Sequence, residues 1–371
     1  MRYLLLLVLL IIPVGVFSAD YTVQHREGRV LFERSGVLYE PRNRERVEEG
    51  AIVRTYASSG IVLRKQDYFY SIHPSSRVEL HAEPLLSFGK VSASPTGDFI
   101  NVRFYVSPHP AQGTTMEVVV RPGEKCSVRS RLIDPFGNTR EIKMYPLEGV
   151  KYRALAGFDV EARPDRYRLH IDIYRDNGGW THIVHPLYLK KTSFETGRVN
   201  LNVKTGKLLE PSEEKKRERE ELWEILTRPS DAQFWDGAFM TPLPDPVIVS
   251  GFGRQRAYYI DGDFAFVRHH RGVDYRAGKG QVVVAPGRGT VAFSGKRITT
   301  GNTVVLDHGQ GVFSLFFHLD SMEVRAGESV KRGELIGGAG NTGISAGVHL
   351  HWSVVVNGVY VDPEDWLRYS F

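Results

Sequence analysis

Short β-branched runs separated by glycines fill the last third of this 371-residue chain and leave little room for helix. Residues 282–284, 289–293, 302–306 and 313–317 are of strand length, and glycines at 287, 289, 295, 301, 309 and 311 punctuate them. Runs this short, bounded by turn-tolerant residues, predict an antiparallel all-β domain beginning near Val247.

Within that domain five residues form the most specific pattern in the sequence: His270, Asp274, His318, His349 and His351. Two imidazoles and one carboxylate can make a three-ligand zinc site with an open fourth position, the usual arrangement for catalytic zinc. Two histidines then remain to handle protons. His349 and His351 are i and i+2 in a strand-like run, so both imidazoles leave by one face and Leu350 and Trp352 by the other. One of the pair can bind metal while its neighbour faces the reacting group. Between His270 and Asp274, Gly272 lets the backbone curl so that both side chains reach one ion. A hard oxygen beside neutral imidazoles suits Zn²⁺. His269 lacks the register of His270 and is expected to be solvated or to stand behind it. His308, at a glycine turn, is expected to be structural. Arg254 and Tyr275 are candidates for substrate contact.

Upstream, residues 52–56 and 60–63 are strand-like and flanked by glycine. Tyr167, Leu169, Ile171 and Ile173 alternate with polar residues, which is the pattern of a strand buried on one face. Residues 176–179 (Asp-Asn-Gly-Gly) supply a hairpin turn, and 134–138 (Asp-Pro-Phe-Gly-Asn) another. Strands spaced by such turns suggest an immunoglobulin-like sandwich. His109, His170, His182 and His185 lack partners at ligand spacing and are expected at the surface or partly buried. From Pro211 to Leu226 the chain turns rich in Glu, Lys and Arg and predicts a helix with acidic residues at its N-terminus, where the dipole favours them. It is equally a solvated linker or a helix docked through its late apolar residues. Residues 229–246 hold four prolines. They are expected to wrap onto the last domain, because Phe234, Trp235, Phe239 and Met240 are costly to expose.

At the N-terminus one positive charge, a short apolar run and small residues up to Ala19 predict a signal peptide over 1–19. The run is short for a spanning helix and contains Pro13, so no stable membrane span is expected after cleavage. The single cysteine, Cys126, cannot form an internal disulfide and is expected to be a strand residue. A formal net charge of +5 with scattered basic residues and no nucleic-acid module argues against nucleic acid as a partner and fits a polyanionic neighbourhood such as a cell envelope. The expected fold is mainly β. Behind the leader stand an N-terminal β module (20–88), an immunoglobulin-like β-sandwich (89–205), a short linker helix with connector (206–246) and the C-terminal antiparallel all-β domain (247–371).

Several segments carry a family resemblance: 250–254 (Ser-Gly-Phe-Gly-Arg), 270–274 (His-Arg-Gly-Val-Asp), 305–309, 317–319 (Phe-His-Leu), 340–343 and 347–352 (Gly-Val-His-Leu-His-Trp). In this order they resemble the LytM/lysostaphin-type zinc metallopeptidases, with 357–358, 361–363 and 366–367 similar to that family's closing segment. The resemblance covers roughly the last third. It implies a zinc peptidase domain in which His270, Asp274 and His351 hold Zn²⁺ and His318 and His349 are the catalytic histidines, with base and acid undivided between them. It further implies hydrolysis of peptide bonds in peptidoglycan, in cross-bridge or stem, by a periplasmic or otherwise exported enzyme. Val348 stands where proline is frequent and Trp352 where phenylalanine is common; neither position is a ligand. A weaker resemblance to a FecR-type β module lies between about 47 and 80 and implies scaffold without chemistry.

Two other functions fit the same architecture. An inactive relative that activates a cell-wall amidase would have lost zinc ligands, and all five positions are intact. A lipoyl-type carrier would present its lysine at an exposed turn beside Met or Asp, and Lys331 has no such setting. The absence of a glycine-bridge-targeting module leads to the expectation of a D-Ala–diaminopimelate cross-link as substrate. The N-terminal β domains are expected either to position the enzyme on the wall or to occlude its cleft.

Overall fold

A computed structural model describes residues 7–9, 21–34, 36–42, 45–48, 51–65, 68–73, 76–80, 85–94, 103–107, 110–201 and 210–371. Apart from Leu7–Leu9, the expected leader lies outside the described residues, as does His109. The chain forms two compact units. One comprises residues 1–105, 119–154 and 165–188; the other 106–118, 155–164 and 189–371.

The first unit is built on β-strands. Ser127–Ile133, Arg166–Tyr174, Trp180–Tyr188 and Leu85–Ser94 follow one another in antiparallel order, and Leu85–Ser94 pairs on with Tyr68–Ile72. The expected boundary at residue 88 therefore falls inside a strand shared by two parts of one sheet. Tyr167, Leu169, Ile171 and Ile173 are buried, as their alternation predicts. The hairpin turn follows from its residues. Gly178 takes a φ of 82°, and the Asn177 side chain accepts from the Gly179 N–H at 2.9 Å. His170 departs from expectation and is buried, with its ring 5.3 Å from that of His182. Cys126 also departs: it precedes the strand Ser127–Ile133, and its carbonyl accepts from the Tyr152 hydroxyl.

The second unit holds the five residues. Its main sheet runs Ile248–Ser250, Val273–Arg276, His349–Val356, Val312–Leu319, Gly301–Gly309, Gly289–Arg297 and Ser329–Val330, antiparallel throughout. One face packs on a core containing Leu350, Trp352, Phe316 and Val354. Burying side chains of this size stabilises by roughly 1.5–3 kcal/mol each. A smaller sheet joins Val282–Val284, Leu335–Gly338 and Ser321–Met322. A third joins the hairpin Gln255–Ile260 and Asp263–His269 to Thr196–Leu201, the last in parallel.

The helix occupies Glu213–Leu226, capped by Ser212, whose side chain accepts from the Lys215 N–H. It is docked: Leu226 is buried with Val305, Phe313, Leu315 and Phe317, and Leu222 and Ile225 pack against them. The following segment wraps onto the domain as its aromatic residues demand. Trp235, Phe239 and Leu243 enter the core, and the Ser230 N–H and hydroxyl donate to Asp307 at 2.8 and 2.6 Å. Among the described residues no helix is long and apolar enough to cross a membrane.

Candidate metal centre and catalytic site

The antiparallel register places Asp274 opposite His351 and Arg276 opposite His349. As period two requires, Leu350 and Trp352 enter the core while His349 and His351 leave by the other face. His270 arrives from the loop after the hairpin, where Gly272 lies against the imidazole of His351.

Three donor atoms converge. His270 Nε2 lies 3.1 Å from His351 Nδ1 and 3.1 Å from Asp274 Oδ1, and His351 Nδ1 lies 2.8 Å from the same oxygen. All three residues are buried. Their outer partners decide where the protons sit. His270 Nδ1–H donates to the Gly251 carbonyl at 2.9 Å, which leaves Nε2 with a lone pair. The Ser353 hydroxyl donates to the Arg271 carbonyl at 2.8 Å, so it accepts from His351 Nε2–H at 2.8 Å. His351 Nδ1 is then the bare nitrogen. Two lone pairs and a carboxylate oxygen thus face one point with no proton between them. Such a cluster of acceptors is repulsive until a cation fills it. Donors of a tetrahedral zinc, at bonds of 2.0–2.1 Å, stand about 3.3 Å apart, close to the separations found. The residues fit a metal ion.

Electrostatics agree. Burial would push the Asp274 carboxyl up, but any proton in the cluster settles on a facing imidazole, whose hydrogen bond and charge pull the carboxyl well below the usual carboxylate range and leave it ionised. Burial pushes His351 down to about 4, so it is neutral at pH 7, as a metal ligand must be. The second oxygen of Asp274, Oδ2, accepts from the Arg256 guanidinium, which also donates to Ser250 Oγ at 2.8 Å.

His318 and His349 flank the cluster with their rings 5.0 Å apart. His349 Nδ1–H donates to the Gly347 carbonyl at 2.9 Å, and its bare Nε2 is 3.7 Å from Asp274 Oδ1. His318 Nδ1–H donates to the Thr342 carbonyl at 2.8 Å and its own N–H to the Thr300 carbonyl at 2.8 Å. Its φ of 63° is uncommon outside glycine, and these two bonds hold it there. Burial pushes His318 down to about 4. With Nδ1–H committed to a carbonyl, each ring in its neutral form presents Nε2 as its acceptor. The aromatic face of Phe317 stacks on His351 at 4.9 Å and walls off one side.

The structure brings all five expected residues together. His308 is structural: fully buried, it donates to the Arg288 carbonyl at 2.8 Å and accepts from the Ser314 hydroxyl at 2.9 Å. His269 pairs with Glu161 at 3.3 Å. Tyr275 is not available to substrate. It is buried and donates to Glu364 at 2.7 Å. Arg254 approaches the Val249 carbonyl at 3.5 Å. Two residues escaped the sequence reading. Ser353 lies two positions after His351 and shares its face, a signal that strand periodicity offers. Arg256 sits in a hairpin without a motif and gave none.

Residues 268–363 match the model of peptidase family M23, and this C-terminal stretch is an M23-type, LytM-like domain. Among curated proteins the chain is 35% identical over 123 residues to a Vibrio cholerae protein named peptidoglycan DD-endopeptidase ShyC, covering 33% of this chain and 28% of that one. It is 41% identical over 96 residues to a Neisseria meningitidis protein named DD-carboxypeptidase/endopeptidase Mpg, covering 26% and 22%. The chain thus spans about a quarter of the length of these relatives. A solved structure from Pseudomonas aeruginosa assigned to peptidase M23 is 25% identical, covers 70% of this chain and 95% of that one, and superposes with a TM-score of 0.51.

Proposed function

We propose that the protein is a zinc-dependent endopeptidase that hydrolyses peptide bonds in bacterial peptidoglycan. The observation that carries this is the meeting of three donor atoms, from His270, Asp274 and His351, beside two histidines anchored through Nδ1 on backbone carbonyls. Bound there, zinc would polarise the scissile carbonyl and make water nucleophilic near neutral pH. His349, with Nδ1 anchored on the Gly347 carbonyl, orients the attacking water and takes its proton on Nε2. His349 then passes that proton to the leaving amine, while His318, held by Thr342 and Thr300, presents its Nε2 beside it as a second proton acceptor. Phe317 keeps bulk water from the ligand side.

The bond we favour is a D-Ala–diaminopimelate cross-link, in keeping with the DD-endopeptidase name of the Vibrio cholerae relative. The setting we favour is the periplasm or cell envelope, reached through a leader at 1–19, with the N-terminal β domains positioning the enzyme or covering its cleft. An amidase-activating role without catalysis is the weaker reading, because all five residues are present and assembled. Digestion of purified sacculi, with and without chelator, followed by mass spectrometry of the muropeptides tests this directly. Dimers should convert to monomers only when zinc is present. Intact dimers after incubation with a protein that carries stoichiometric zinc would overturn the proposal.

A further inference from the structure

The two oxygens of Asp274 have different duties. Oδ1 faces both imidazoles, at 2.8 and 3.1 Å. Oδ2 is turned to Arg256, which arrives on the hairpin strand Gln255–Ile260. The same guanidinium nitrogen donates to Ser250 Oγ at 2.8 Å, and that hydroxyl lies 3.4 Å from His270 Nδ1. Arg256 thus touches one donor directly and a second through Ser250.

A carboxylate can hold a cation through one oxygen or both, and a second oxygen would fill a position that substrate or water needs. We propose that Arg256 is a positioning residue that commits Asp274 to one-oxygen coordination and so keeps the metal's fourth position open. By charge alone a guanidinium opposes a cation on the same carboxylate. Its contribution is therefore geometric: it takes up Oδ2 and fixes the plane of the carboxyl group, as partners behind metal ligands do. An arginine suits this because one planar guanidinium nitrogen aims its two hydrogens at both acceptors in fixed directions, whereas a lysine offers a freely rotating point charge. The inference rests on the three donors being a metal site.

The test uses the full protein loaded with Co²⁺ in place of zinc, because the intensity of cobalt's visible absorption reports coordination number. Arg256→Ala should retain one metal per chain, lose roughly half or more of that intensity as the site expands, and turn over sacculi about 10–100-fold more slowly with little change in KM. Arg256→Lys should recover part of both. Ser250→Ala, which leaves the Arg256–Asp274 contact in place, should keep the wild-type spectrum. An Arg256→Ala protein with wild-type spectrum and turnover overturns the proposal. If that variant does not fold, Arg256→Met, which keeps side-chain bulk and loses the donors, takes its place, and a wild-type spectrum and turnover there do the same. Wild-type protein that binds no metal would instead overturn the metal site itself, and with it this role.

Discussion

Gly272 leaves no room between its own backbone and the imidazole of His351: a Cβ placed there would stand 2.5 Å from Nε2 and 2.6 Å from the Trp352 carbonyl. The glycine does more than let the loop curl between His270 and Asp274. It cradles the third donor from behind. Gly272→Ala should therefore displace His351, reduce bound metal well below one per chain, and destabilise the domain by about 1–3 kcal/mol, the usual cost of overpacking. Metal analysis and thermal unfolding check both, and an alanine variant with full metal content would show that the loop relaxes.

His318 and His349 are bound to backbone carbonyls through Nδ1 and donate nothing to the cluster of three. Replacing either with alanine should lower turnover by about 10²–10⁴-fold, the range for a lost proton-transfer group. Metal content should stay at one per chain. Release of soluble fragments from sacculi, measured beside zinc content, separates these variants from His270→Ala and His351→Ala, which should lose both.

His308 ties the sequence's pH response to stability. Burial pushes it down to about 4, against the hydrogen bond to the Arg288 carbonyl, which raises it. Its unfolded value is about 6.5. Between those two values the unfolded chain holds the extra proton, so stability is complete above pH 6.5 and falls as the pH drops towards 4. The loss for one such group is roughly 3 kcal/mol. Denaturant unfolding at pH 7, 5.5 and 4.5 should show this slope. His308→Gln should be less stable at pH 7 and flatter with pH; an unchanged slope would assign the effect to other groups.

Glu218 on the helix Glu213–Leu226 accepts from the Ile298 N–H at 2.9 and 3.1 Å, and Arg297 donates to the Glu218 carbonyl. The next two residues, Thr299 and Thr300, accept from the N–H groups of Ile344 and His318. The helix is thereby joined to the strand end that holds His318. Glu218→Ala should cost about 1 kcal/mol through the lost hydrogen bond and lower activity through looser placement of His318. Hydrogen exchange at Ile298 and His318 reads the loosening, and protection equal to wild type would limit the helix to its apolar packing.

The legibility of this chain varied with how local the signal was. Period two in 349–352 was enough to separate two imidazoles from two core residues, because side-chain direction in a strand is set by the backbone alone. Tyr275 is the converse case: its place in the motif says nothing about Glu364, 89 residues away, which accepts from its hydroxyl. The helix 213–226 was legible as a helix from its composition and cap. Its docking was not, since Phe313 and Val305 on the opposing surface come from elsewhere in the sequence.

By itself the sequence determined the β character of the last domain, the five residues proposed for the site and the face each His-x-His imidazole takes. Those follow from residue type and short-range geometry. The tertiary structure decided which nitrogen of His270, His318 and His351 is held by a partner, because the carbonyls of Gly251 and Thr342 lie 19 and 24 residues from the rings they hold and that of Arg271 lies 82 residues from the Ser353 hydroxyl behind His351. It also decided that Arg256 closes the second oxygen of Asp274. Hydrogen bonds between distant segments exist only once the sheet has formed, and no pattern in the linear chain encodes their direction.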